Sequence, residues 1–133
     1  MAQLNPQISP QPKPQIPLTP EKAEVIKAGE HLKRIIPGNL MIYKELTPAT
    51  CKSMAMFSVL ASPGQDTGSK VLRHAGDETM LVISGNFQIE FDDRKEKLGP
   101  GDSVYIPRGT KHRVINTGGT KGEAVFTLSP PEY

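Results

Sequence analysis

The sequence predicts an all-β protein, a single small jelly-roll barrel preceded by an extended, proline-rich arm. Three observations carry this expectation. From Gly38 onward, short runs rich in β-branched and aromatic residues alternate with turn residues at intervals of roughly eight to twelve positions, the texture of a sandwich or barrel. Six of the 13 prolines fall within the first 20 residues, interleaved with Gln3, Gln7, Gln11 and Gln15; proline lacks the backbone donor and fixes φ, so neither helix nor an interior strand fits there. A chain of 133 residues, 36% hydrophobic, supplies one core and no room for a second. The expected organisation is therefore an arm over residues 1–20 and a barrel over residues 21–133.

Taken in order, the arm carries Leu4, Ile8, Ile16 and Leu18. It is either a free tail or an arm lying along a partner subunit, where spaced aliphatics can pair at a sheet edge despite the prolines. Thr19 to Ile36 supports two readings. Thr19-Pro20-Glu21 resembles a helix start, with Val25, Ala28, Leu32 and Ile35 at helical spacing. Gly29 interrupts that pattern, and Glu24-Val25-Ile26 can open a strand, so a short strand followed by a turn is the expectation. The β-rich runs that follow are Leu40–Tyr43, Met54–Leu60, Lys70–Arg73, Thr79–Ser84, Phe87–Phe91, Ser103–Ile106, His112–Ile115 and Glu123–Leu128. The clearest local feature is a hairpin from Met80 to Phe91, turning at Ser84-Gly85-Asn86, where Gly and Asn tolerate positive φ. Met80, Val82, Phe87 and Ile89 have the character of barrel wall.

Composition narrows the function. Lys plus Arg number 16 against 14 acidic residues, a net charge of +2, too even a balance for nucleic-acid binding on charge alone. Cys51 is the single cysteine, which excludes an intrachain disulfide framework and any multi-thiolate metal site and suits a reducing compartment. No apolar run approaches the ~20 residues that cross a bilayer, and the N-terminus lacks the basic start and apolar run of a signal peptide. A cytoplasmic protein without nucleic-acid or membrane partners is expected.

Of the three histidines, His74 and His112 sit where predicted strands leave turns, and Glu78 lies four residues beyond His74. Two histidines and a carboxylate on neighbouring strands form a metal-ligand set that leaves coordination positions open. The stretch from Gly101 to Asn116 resembles the second motif of the cupin superfamily, with Gly101, Pro107, Gly109, His112 and Asn116 at the motif's spacing. His74, Glu78 and Gly85 match the first motif, but its leading histidine position holds Leu72. The resemblance therefore implies three ligands, His74, Glu78 and His112, in place of the usual four. Such a set is similar to that of hydroxypropylphosphonate epoxidase, a cupin enzyme whose iron is held by two histidines and a glutamate. It implies a divalent ion, Fe(II) first, with Mn, Ni, Co, Cu or Zn also accepted by these donors. It further implies a cupin-type jelly-roll barrel and a homodimer.

Lys70, Arg73, Arg108, Lys111 and Arg113 cluster around these positions, which suggests a positive rim suited to a small anionic ligand. Arg73 and Arg108 are the candidates for that contact; for Lys111 and Arg113 a solvated loop surface is the simpler reading. Tyr105 can offer a phenol to substrate, or pack as a core aromatic. Three functions follow: a metal-dependent enzyme of the oxygenase, isomerase, lyase or cyclase type; a non-catalytic ligand-binding or sensor cupin with a degenerate site; and an interaction protein acting through its arm. Fold alone does not choose among them.

Overall fold

The structure, a computed structural model, describes residues 22–35, 41–68 and 74–131. The arm, Leu72, Arg73 and the run Lys70–Arg73 lie outside the described residues. Among the described residues there are nine strands: β1 (Leu32–Arg34), β2 (Ile42–Glu45), β3 (Ala55–Ala61), β4 (Asp77–Ser84), β5 (Phe87–Glu90), β6 (Lys95–Leu98), β7 (Ser103–Ile106), β8 (Arg113–Asn116) and β9 (Gly122–Ser129). They form an antiparallel six-stranded sheet, in the order β1-β2-β3-β9-β4-β7, facing a three-stranded sheet, β6-β5-β8. Among the described residues no helix is long and apolar enough to cross a membrane.

The long strands follow from period-two patterning. In β9, Gly122, Ala124, Phe126 and Leu128 point inward, and the residues between them are less buried; β3 does the same with Ala55, Phe57, Val59 and Ala61. Their register pairs Ala55 with Leu128, Phe57 with Phe126, Val59 with Ala124 and Ala61 with Gly122 on the inward face. The core is aliphatic with a few phenyl rings, and Met80, Val82, Phe87 and Ile89 are all within it. Tyr43 and Phe57 meet edge to face, with centroids 6.2 Å apart, a favoured aromatic geometry. The β4–β5 hairpin turns at Gly85, whose φ of +81° suits a residue without Cβ.

Two strands depart from expectation. β6 was not foreseen, because in Lys-Glu-Lys-Leu only Leu98 is buried and an edge strand of charged residues carries no alternating apolar signal. Near the N-terminus the order is reversed: residues 24–26 form no strand, a turn lies at Ala28-Gly29, and β1 comes after it.

Segment 62–68 closes the second flank of β8. Gly64 and Thr67 N–H groups donate to the Asn116 and Val114 carbonyls, each at 2.9 Å. Arg113 locks this segment down through Asp66, through Glu90 at 3.3 Å and through the Gly68 carbonyl at 2.8 Å. Its guanidinium is thus committed to holding the barrel together. Asn116, a motif residue, is 1% exposed. Its amide donates to the Ala61 and Thr120 carbonyls and its oxygen accepts the Gly118 N–H, so it ties β8 to β3 and to the loop before β9.

Candidate metal centre

The site is assembled from both sheets. Glu78 is the second residue of β4, pairing with Leu128 of β9 and Ile106 of β7. This central position points its side chain inward, between strands whose partners on that face are buried. His74 precedes β4 by three residues. Between them Gly76 passes so close to the Ser129–Pro130 backbone that a Cβ would lie 2.5 Å from the Pro130 carbonyl oxygen; glycine lets the two donors approach from one short segment. His112 immediately precedes β8 of the smaller sheet.

All three side chains are buried. His74 Nε2 lies 3.3 Å from Glu78 Oε2, and His112 Nε2 lies 3.2 Å from Glu78 Oε1. The two imidazole rings are tilted, with centroids 5.5 Å apart. One donor atom from each residue falls within 4.8 Å of the others. Despite the proximity of His112, Glu78 Oε1 has no hydrogen-bond partner, because the ring nitrogen is near it but not aligned with it. An unpartnered buried carboxylate oxygen is costly unless a cation satisfies it.

The tautomer points the same way. His112 Nδ1 lies 2.8 Å from the Thr110 carbonyl oxygen; a carbonyl only accepts, so Nδ1 carries the proton and Nε2 faces the carboxylate as a lone pair or as a second N–H. Burial opposes charge on this ring, but the Glu78 carboxylate and the Thr110 carbonyl together outweigh it and raise the His112 pKa above its ordinary value. A histidine whose far nitrogen is held by a carbonyl is the usual support for a metal ligand. The residues present are thus compatible with a divalent ion held by two imidazoles and one carboxylate, a borderline donor set.

Of the residues singled out for substrate contact, Arg73 lies outside the described residues, and Tyr105 and Arg108 lie away from the donor cluster. Tyr105 pairs with Thr79, and both belong to the outer face of the sheet, opposite Glu78 and Ile106. The phenol is 58% exposed and borders an external cleft of about 450 Å³ with Phe91, Arg94, Thr110 and Lys111. Arg108 lies beside Asp77, with Nη2 3.5 Å from Oδ2. The Arg108 backbone N–H, 3.0 Å from Asp77 Oδ1, and then the guanidinium hold the Asp77 carboxyl below the usual carboxylate range, the Tyr105 hydroxyl adding to this. Tyr105 and Arg108 therefore gather around Asp77, outside the donor cluster. Sequence reasoning passed over Asp77 and Thr110. Strand alternation offered one signal, since Asp77 must face away from its neighbour Glu78.

Comparison with known proteins agrees with this geometry. The Cupin domain family matches residues 58–128. Protein SchB of Streptomyces halstedii is 32% identical over 87 residues, which make up 64% of this chain and 62% of SchB, so the chain spans less than two thirds of that relative. Among solved structures, the polyketide cyclase RemF of Streptomyces resistomycificus superposes with a TM-score of 0.70 at 18% identity, covering 83% of this chain and 81% of RemF. KdgF of a Halomonas species gives 0.69 at 20% identity over 84% and 96%. At such identities the likeness is one of fold. Two-sheet topology, convergent motif residues and a family match over more than half its length together place the chain in the cupin family.

Proposed function

We propose that this chain is a metal-dependent enzyme acting on a small, anionic molecule, with the ion held by His74, Glu78 and His112. One observation carries the reading: the buried Glu78 carboxylate lies between two histidines, Oε2 against His74 Nε2 and Oε1 against His112 Nε2, and Oε1 has no hydrogen-bond partner. Fe(II) is the first choice of ion, with Mn, Ni, Co, Cu and Zn as alternatives that the same donors accept. When bound, such an ion supplies a Lewis acid to substrate oxygens. The protein's own part is orientation and exclusion: Thr110 fixes the His112 ring, and Glu78 is walled by Ile106, itself 1% exposed, which keeps water from the carboxylate. Three protein ligands leave room for a substrate that chelates through two oxygens.

The reaction is of the oxygenase, isomerase, lyase or cyclase type, and a cytoplasmic homodimer is the working state. The dimer is supported by Ile42, Leu60, Leu81 and Ile83, all exposed on the six-stranded sheet or its bulge. The test is elemental mass spectrometry of untagged protein beside a Glu78→Ala/His112→Ala variant. Near-stoichiometric metal lost in the variant supports the centre and directs screens with enolisable, carboxylate-bearing substrates. Absence of metal from both folded proteins overturns it in favour of a ligand-binding module.

A further inference from the structure

We infer that Asp77 is a positioning residue for the metal centre, fixing the orientation of His112 through the turn at residues 107–110 without touching any donor atom. The inference rests on the metal reading above and extends it to the outer face of β4.

The turn closes through the Thr110 N–H to the Pro107 carbonyl, 3.1 Å, with Gly109 at φ +78°. That is the pattern of a type II turn, in which the third residue needs positive φ. A turn of this kind leaves its two central N–H groups unused. Here neither is left to water: the Arg108 N–H donates to Asp77 Oδ1 at 3.0 Å, and the Gly109 N–H donates to the His74 carbonyl at 2.8 Å. Both anchors lie in segment 74–78, which also supplies two of the three metal donors. The turn's last residue then presents the carbonyl that receives the His112 Nδ1 proton, 2.8 Å away.

The consequence is a closed mechanical circuit. Adjacent residues of β4 point to opposite faces, so Glu78 reaches the ion from within while Asp77 grips, from outside, the turn that aims the third ligand. The ladder pair of Ile106 with Glu78 holds the base of the turn and the His74 carbonyl holds Gly109; the Asp77 carboxylate holds the residue between them, Arg108, and so sets the tilt of the turn. The neighbouring groups leave the carboxylate in place for this task, since its other oxygen faces the Arg108 guanidinium.

The test uses the full chain and Co(II) as probe, reading affinity by chelator competition, the visible ligand-field spectrum, and the apo melting temperature. Asp77→Ala is expected to weaken Co(II) binding roughly tenfold, the lower end of what outer-shell partners contribute, and to alter the spectrum. Asp77→Asn, which keeps an oxygen for the Arg108 N–H, is expected to restore affinity to within about threefold. Arg108→Pro cuts the same link from the donor side at a turn position that favours proline, and it keeps the inference testable should Asp77→Ala not fold. It is expected to match Asp77→Ala, whereas Arg108→Ala, which retains the N–H, is expected to bind like wild type. Co(II) affinity and spectrum unchanged in both Asp77→Ala and Arg108→Pro, even with a lowered melting temperature, would make Asp77 merely structural and overturn the inference while leaving the metal reading intact. Wild-type protein with no Co(II) uptake sensitive to His112→Ala overturns the metal reading, and the inference with it.

Discussion

Replacing Glu78 with glutamine separates the two roles a buried carboxylate can have. Glutamine keeps the shape and removes the charge. Measured at a pH above the raised His112 pKa, where the ring is neutral and Oε1 has no hydrogen-bond partner, the metal-free protein loses little, and its stability should change by no more than about 1 kcal/mol, since an unpaired buried charge is itself costly. The metal response should collapse. With free metal at 100 times the dissociation constant, wild type gains about 2.7 kcal/mol of stability, or near 11 °C at about 4 °C per kcal/mol for a domain of this size. If loss of the carboxylate ligand weakens binding about 100-fold, the same metal concentration gives only about 0.4 kcal/mol, a shift under about 2 °C. Differential scanning fluorimetry with and without Co(II) or Mn(II) reads both quantities. Equal metal shifts in the two proteins would refute the ligand assignment. A metal-free Glu78→Gln variant less stable by about 3 kcal/mol or more would instead identify a structural ion pair with His112, because breaking a buried pair costs about 3 to 5 kcal/mol.

Other expectations follow from packing and charge. Gly122→Ala would set a Cβ 2.7 Å from the ring of Phe87, which is fully buried and has nowhere to go, so urea denaturation should show a loss of about 1 to 3 kcal/mol. Asn116→Ala strips partners from the Ala61 and Thr120 carbonyls and the Gly118 N–H; a loss of about 2 to 4 kcal/mol is expected in the same assay, given about 1 to 3 kcal/mol for each buried group left unsatisfied. In the metal-free protein His112 has a folded pKa above its unfolded value of about 6.5. Its protonated contact with Glu78 therefore adds stability that is complete below that unfolded value and is lost as pH rises through the folded one. The melting-temperature difference between wild type and His112→Gln should shrink as pH rises above the unfolded value of about 6.5; a difference that grows with pH would contradict the assignment. Metal retention should run the other way, weakening as acid competes for Nε2.

Much of this was legible in the residues because burial imposes alternation. β3, β4, β5 and β9 each turn a row of alternate, mostly apolar side chains into the core, so Met54–Leu60, Thr79–Ser84, Phe87–Phe91 and Glu123–Leu128 announce themselves. β1 and β6 do not, since edge strands with exposed side chains need no such pattern: three of the four residues of β6 face solvent. At the site, His74, Glu78 and His112 were readable as residue types at motif spacing. The side of the sheet occupied by Tyr105 was not, because a one-residue shift in strand phase reverses every side chain. The Thr110 carbonyl is a backbone group that leaves no trace in sequence, and the link from Asp77 to Arg108 spans 31 positions, a distance across which nothing local signals contact.

The origin of the donors in two different sheets has a kinetic consequence. Glu78 belongs to the six-stranded sheet, while His112 leads into the three-stranded one. An ion held by these donors would act as a rivet through both layers, placed where the sheets must part for the barrel to open. Interactions absent from the unfolding transition state slow escape from the native state without altering the folding rate. A rivet that is lost before the layers separate would therefore prolong the lifetime of the loaded protein.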